Sequence, residues 1–180
     1  ILLILRKLNY IPYIGSSENF LTEFIFLLLI LYTFNLFGKL FLGDNGVYLI
    51  SLFFVFFLIN IYVNNQSISP YFIALLLWYP AFENLFSMIR KFRKKLSPML
   101  PDTNHFHQLL YYFLKKKFLK KNIVANSLSA NLINIYNGLI FLVASTDISS
   151  TKFQIKLIIL NIVVYSVFYI FFYKFRFKKI

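Results

Sequence analysis

Five stretches of nearly unbroken apolar residues, each long enough to cross a bilayer, decide what this chain can fold into. A hydrocarbon core ~30 Å thick needs roughly 17–25 helical residues. The stretches run from about Phe20 to Gly38, Gly46 to Val63, Pro70 to Ile89, Asn126 to Ser145 and Phe153 to Tyr173. In lipid every backbone polar group must be satisfied internally, which leaves helices and closed barrels. Barrel strands alternate apolar and polar residues, and these segments do not. The expectation is therefore all-α: a polytopic membrane protein, one transmembrane domain over residues 1–180, with a polar loop at 90–122. A hydrophobic content of 59% and a mean hydropathy of +0.70 agree, against about 45–50% apolar residues in soluble domains. Pro70 suits a first helical turn. Pro80, inside the third segment, predicts a kink because it removes a backbone bond.

Charge sets the orientation. Nineteen Lys and Arg face six Asp and Glu, a formal net charge of +13. The polar loop holds Arg90, Lys91, Arg93, Lys94, Lys95, Lys115, Lys116, Lys117, Lys120 and Lys121, and the C-terminal tail adds Lys174, Arg176, Lys178 and Lys179. The loops at Asn64–Ser69 and Thr146–Lys152 hold Lys152 alone. The positive-inside rule then puts the basic loop and the C-terminus in the cytoplasm, facing anionic lipid. Nucleic acid is not an expected partner. Two crossings separate Asp44 from the basic loop, so both belong to one side. Without cysteine there is no disulfide scaffold and no thiolate metal site. Ile1-Leu2-Leu3-Ile4-Leu5 precedes Arg6 and Lys7, the reverse of a secretory signal. It reads as the end of a span already under way, which makes this chain the C-terminal part of a longer protein.

Polar residues are concentrated in Pro101-Asp102-Thr103-Asn104-His105-Phe106-His107-Gln108, which holds both histidines. Two imidazoles at i and i+2 face one way on an extended loop and diverge on a helix. Zinc would want a third ligand, and Asp102 is the one nearby candidate. Histidines donating to phosphate oxygens, beside Asn104 and lysines, need fewer assumptions. An inert surface loop fits the spacing equally. From Phe106 to Phe118 apolar residues recur at helical spacing ahead of a lysine cluster, which predicts a short interfacial helix with its apolar side in lipid. Gly43-Asp44-Asn45-Gly46 joins the first two spans, either as a turn capping the next helix or with Asp44 as a hard oxygen ligand for Mg²⁺. Glu83 lies within a span, where a carboxylate defaults to a paired or functional role. Arg90, seven residues on, is its expected ion-pair partner, and Arg90 with Arg93 would equally suit a phosphate. Asn126, Asn131, Asn134 and Asn137 suggest hydrogen bonds between helices.

Together these segments resemble the polyprenyl-phosphate sugar-1-phosphate transferases, the MraY/WecA-like family (glycosyltransferase family 4). Phe41-Leu42-Gly43-Asp44-Asn45-Gly46-Val47-Tyr48 is similar to that family's F-L-G-D-x-G-S-Y segment. Pro80-Ala81-Phe82-Glu83-Asn84 through Arg90 resembles its P-x-x-E-T-x-x-x-x-x-R helix, and Pro101 to Leu110 its P-D-R-x-H-x-H-H-L-L loop. The resemblance covers most of Leu36 to Leu110. It implies a phosphoglycosyl transferase that moves a sugar 1-phosphate, such as N-acetylhexosamine 1-phosphate, from a UDP-sugar to undecaprenyl phosphate and releases UMP. Such an enzyme supplies cell-wall and polysaccharide synthesis at the bacterial cytoplasmic membrane.

By the same resemblance, Asp44 would be catalytic and would hold Mg²⁺, with Mn²⁺ as a substitute. His105, His107, Asp102, Asn104 and Arg90 would bind substrate. A homodimer is an admissible assembly. Val47, Thr103 and Gln108 depart from the family pattern, and its paired aspartates are absent from this chain. The chain alone is therefore expected to be inactive. The competing reading is a transporter or non-catalytic membrane subunit with a basic cytoplasmic loop. A zinc hydrolase built on His105 and His107 lacks a third ligand and a general base.

Overall fold

The computed structural model describes residues 17–40, 42–97, 102–118 and 121–177, with side chains described from Thr22 onward. Ile1–Leu5, Arg6, Lys7, Phe41, Pro101, Lys120, Lys178 and Lys179 lie outside the described residues, and so do the expectations placed on them. The described residues form seven helices and no strand: α1 (Ser17–Leu36), α2 (Gly43–Asn64), α3 (Pro70–Leu76), α4 (Trp78–Arg93), α5 (Phe106–Lys117), α6 (Asn122–Ala144) and α7 (Thr151–Phe177). The all-α expectation holds. Three helices, α2, α6 and α7, are long and apolar enough to cross a membrane, and α3 with α4 makes a fourth if the bent pair is one span. The apolar part of α1, Thr22–Leu36, is shorter. Among the described residues there are three or four such helices where the hydropathy pattern suggested five.

The bend in the third segment is sharp, 71°, and centres on Leu77 rather than on Pro80. The displacement follows from proline chemistry. Pro80 cannot donate to the carbonyl four residues earlier, and its ring clashes with that carbonyl. The helix therefore breaks upstream and restarts, so that Pro80 falls in the first turn of α4, where an N–H would have no helical partner anyway. Ala81 N–H resumes the ladder onto Leu77 O at 3.3 Å.

The chain divides into two compact units, one ending at Ile68 and one running from Ser69. In the first, buried Phe24 of α1 packs with Ile25, Leu28 and, from α2, Ile50 and Phe57. Gly38, at φ +65°, closes α1, and Lys39 N–H reaches back to Phe34 O at 3.0 Å. Gly43 at φ +63° starts α2 in a conformation that favours glycine.

In the second unit, α7 packs against α3, α5 and α6. Its buried residues are Gln154, Leu157, Asn161, Tyr165, Tyr169 and Phe172, spaced by three or four and so forming one stripe. Gln154 is fully buried and donates to Ala144 O and Asp147 O at 3.0 and 2.7 Å, pinning the α6–α7 turn. Tyr136 donates to Asn161 Oδ1 at 2.6 Å. Of the asparagines expected to bridge helices, Asn137 does so, accepting from Trp78 Nε1 at 3.1 Å. Asn131 Nδ2 donates within its own helix, to Ser127 O, and Asn134 is exposed.

Helix α5 corrects another expectation. Leu109, Leu110 and Leu114 are buried within the protein, where α5 packs against α6 and α7. Phe113 sits among Phe171, Phe172 and Phe175 of α7. The apolar stripe is real, but it is satisfied by protein rather than lipid. A helical period fixes which face is apolar and leaves open what covers it.

Candidate functional site

The polar octapeptide is held by two side-chain networks, one on each half. Asp102 anchors the first. Its Oδ1 accepts Asn104 N–H at 2.9 Å, a local turn that aspartate side chains favour. Its Oδ2 accepts Ser87 Oγ–H at 2.6 Å and is ion-paired with the Arg90 guanidinium. Arg90 also donates to Tyr169 Oη at 2.8 Å, and that hydroxyl donates to Asn104 O at 3.1 Å. The guanidinium lies over the rings of Phe86 and Tyr169. Arg176 of α7 completes the cradle, donating to Thr103 O at 2.6 Å and to Asn104 Oδ1 at 3.3 Å. Burial opposes ionisation of Asp102. The hydrogen bonds from Ser87 and Asn104 and the Arg90 charge outweigh it, holding the carboxyl at about 2, below its ordinary 3.8.

Glu83 anchors the second half. It is 6% exposed, and both of its oxygens are occupied. Oε1 lies 2.9 Å from His105 Nδ1 and accepts Phe106 N–H at 3.0 Å. Oε2 accepts the Tyr165 hydroxyl at 2.7 Å. The expected Glu83–Arg90 pair is therefore absent. Each member has exchanged its partner on the same helix for one on the loop, Glu83 for His105 and Arg90 for Asp102. Seven residues put both side chains on one face of α4, and that face is the one covered by the octapeptide.

His105 is the N-cap of α5 and His107 its second residue. Their rings lie parallel within 12°, with centroids 5.8 Å apart. This is the one-sided arrangement expected of an extended segment, preserved because His105 is still extended (φ −66°, ψ 150°). His107 is exposed on the helix surface, yet it titrates below the ordinary histidine value. Surrounding protein that displaces water is the main cause; Glu83 opposes it and neighbouring His105 adds to it. His107 is thus mostly uncharged at neutral pH.

The two halves open onto different spaces. A cavity of about 150 Å³ is lined by Arg90, Lys91, Lys94, Asp102, Thr103 and Asn104. A wider one, about 460 Å³, is lined by His107, Gln108, Tyr111, Asn122, Ile123 and Asn126. Gln108 belongs to the octapeptide, whereas Tyr111, Asn122 and Asn126 join the site without having been singled out for it. Only the amides' position opposite the loop, invisible before α5 and α6 are packed, identifies them. A third, apolar cavity of about 270 Å³ runs between Trp78, Tyr79, Tyr136, Tyr165 and Phe168.

Asp44 lies in the other unit, exposed in the first turn of α2. The N-cap is Leu42, with no side-chain cap, so neither Asp44 nor Asn45 plays the capping role. A single exposed carboxylate fits Mg²⁺, which commonly keeps several waters and takes one or two carboxylates plus phosphate oxygens. Among the described residues no three His, Asp or Glu side chains gather to hold a metal. The zinc reading loses its third ligand in particular, because Asp102 is committed to Ser87, Asn104 and Arg90. Comparison with protein-family models, curated proteins and solved structures finds no match to this chain.

Proposed function

We propose that this chain is part of a membrane phosphoglycosyl transferase that moves a sugar 1-phosphate from a UDP-sugar to undecaprenyl phosphate at the bacterial cytoplasmic membrane, releasing UMP. The observation that carries this reading is the pair of parallel imidazoles at 5.8 Å, His105 held by Glu83 and His107 lining the wider cavity. Phosphoryl transfer needs little covalent help from protein and much alignment and charge neutralisation. A loop braced by Glu83, Arg90 and Arg176 and carrying two imidazoles suits the alignment. The acceptor phosphate oxygen attacks the sugar-bearing phosphorus, the bond to the UMP oxygen breaks, and UMP leaves. On the family resemblance, Asp44 would help hold Mg²⁺, which would supply charge neutralisation to such a reaction.

In this scheme His107, Gln108, Asn122 and Asn126 bind the nucleotide-sugar, and His105 turns its second ring nitrogen to the substrate. Arg90 and Asp102 hold the loop rather than touch substrate, since each already has a protein partner. The transporter reading draws on the 71° break between α3 and α4, because broken helices often carry transport sites. Here the residues at the break, Leu76, Leu77 and Trp78, are apolar or already paired, Trp78 with Asn137.

The test uses the full-length protein in bilayer nanodiscs with undecaprenyl phosphate, UDP-N-acetylhexosamines and Mg²⁺. Asp44→Asn abolishes UMP release. His107→Ala raises KM for the nucleotide-sugar about tenfold, the scale of one lost hydrogen bond to a charged group, with an unchanged melting temperature. Wild-type turnover in both variants would return the loop to a structural role.

A further inference from the structure

We infer that Glu83 is a positioning residue that fixes the protonation site of His105, holding the proton on Nδ1 and leaving Nε2 as the one ring nitrogen able to meet a ligand. The catalytic consequence rests on the transferase reading above; the protonation site does not. The argument begins with the helix start. N-cap positions favour Ser, Thr, Asp or Asn, whose short side chains accept from the first turn. Here the N-cap is a histidine, and the acceptor for Phe106 N–H comes from 23 residues upstream, on another helix. A capping carboxylate next to the N-terminal end of α5 also complements the helix dipole.

Gln108 Oε1 accepts His105 N–H at 3.3 Å, and the His105 ring is held against Glu83. The Phe106 amide is necessarily a donor, and Tyr165 donates to the second oxygen. Glu83 therefore serves as an acceptor at both oxygens, and the hydrogen bond with His105 requires the proton to be on Nδ1. The assignment comes from the hydrogen-bond network around the ring. Among the described residues Nε2 has no hydrogen-bond partner, and the side chain keeps 24% of its surface open. A carboxylate that orients an imidazole through one nitrogen sets what the other can do. Burial of Glu83 makes this more than incidental, since a buried carboxylate without partners would be costly.

This chain contributes two histidines, and ¹⁵N-histidine spectra of the full-length protein in nanodiscs, with and without His105→Asn, pick out the His105 signals by difference. At neutral and alkaline pH, wild type shows a protonated Nδ1 on His105. Glu83→Ala moves that proton to Nε2, the site free imidazole prefers, and UMP release falls roughly 10–100-fold, as when an orienting partner of an imidazole is lost. Glu83→Gln keeps an acceptor for both N–H groups and retains the Nδ1 proton, with turnover between the two.

An unchanged His105 spectrum in Glu83→Ala overturns the positioning role. So does a shifted proton with wild-type turnover. If Glu83→Ala fails to fold, Glu83→Asp carries the test, because it keeps the charge but is one methylene too short. Lost Nδ1 protonation at an unchanged melting temperature then supports the inference, and retained protonation overturns it. Should wild type release no UMP at all, the transferase reading fails, and the spectrum still decides between these outcomes.

Discussion

Helices α2 and α7 are both long and apolar enough to cross a membrane, yet only 11% of the apolar stretch of α2 is buried, against 28% for α7. Within α2 only Leu58 and Ile61 are buried, whereas α7 buries Gln154, Asn161, Tyr165 and Tyr169 along one stripe. Apolar length alone says that a helix can sit in lipid. Polar side chains one or two helical turns apart say which face it turns to protein, because an unpaired amide or hydroxyl in hydrocarbon is costly. The chemistry of this molecule follows the second signal. Tyr165 and Tyr169 reach from that stripe to Glu83, Asn104 and Arg90.

The largest effect that would break this contrast comes from removing one half of the Arg90–Asp102 pair. Their side chains are 12% and 7% exposed. Deleting one member leaves the other charged and buried, at a cost of about 3–5 kcal/mol. Arg90→Ala should lower stability by that amount in denaturant titration of the detergent-solubilised protein. Lys115→Ala, on exposed α5 surface, should change it by no more than about 0.5 kcal/mol. A loss below about 1 kcal/mol for Arg90→Ala would mean that the loop is held elsewhere.

A smaller effect sharpens the contrast inside α2 itself. Leu58 is 1% exposed and Leu52 is 68% exposed. Leu58→Ala should cost about 2 kcal/mol or somewhat more through the cavity it leaves. Leu52→Ala should stay within about 0.5 kcal/mol, since the residue meets lipid in either form. Equal losses at both positions would show that α2 buries a second face, and the two helices would then differ less than their surfaces suggest.

Much of this was legible in the sequence because lipid imposes a simple rule on the backbone. Continuous apolar segments gave helices, and Pro80 announced a break. The octapeptide's carboxylate and imidazoles marked where polar contacts gather. What could not be read was pairing across the fold. Glu83 and Arg90 share a helical face, which made them look like each other's partners. Their true partners lie 22 and 12 residues downstream, on a loop whose position depends on α5 packing against α6 and α7. Periodicity also could not separate lipid from protein as the cover for Leu109, Leu110 and Leu114. Arg176 was read only as part of a basic tail, yet it donates to the backbone of Thr103, at the position where the resembled family carries its own loop arginine.

The gentlest test uses pH and leaves the wild-type chain intact. Asp102 is held at about 2 when folded, against an ordinary 3.8. A carboxyl whose folded value lies below its unfolded one binds fewer protons in the native state, so acid favours unfolding. Its stabilising contribution is fully present above 3.8 and disappears as pH falls through that value toward 2. Melting temperature should therefore be flat on the neutral side and decline through this acid window. Asp102→Asn, already less stable at neutral pH, should lack most of the decline. Parallel acid curves for wild type and Asp102→Asn would assign the decline to another carboxylate. The polar stripe of α7 would then owe its order to Glu83 and its partners more than to the Asp102 network.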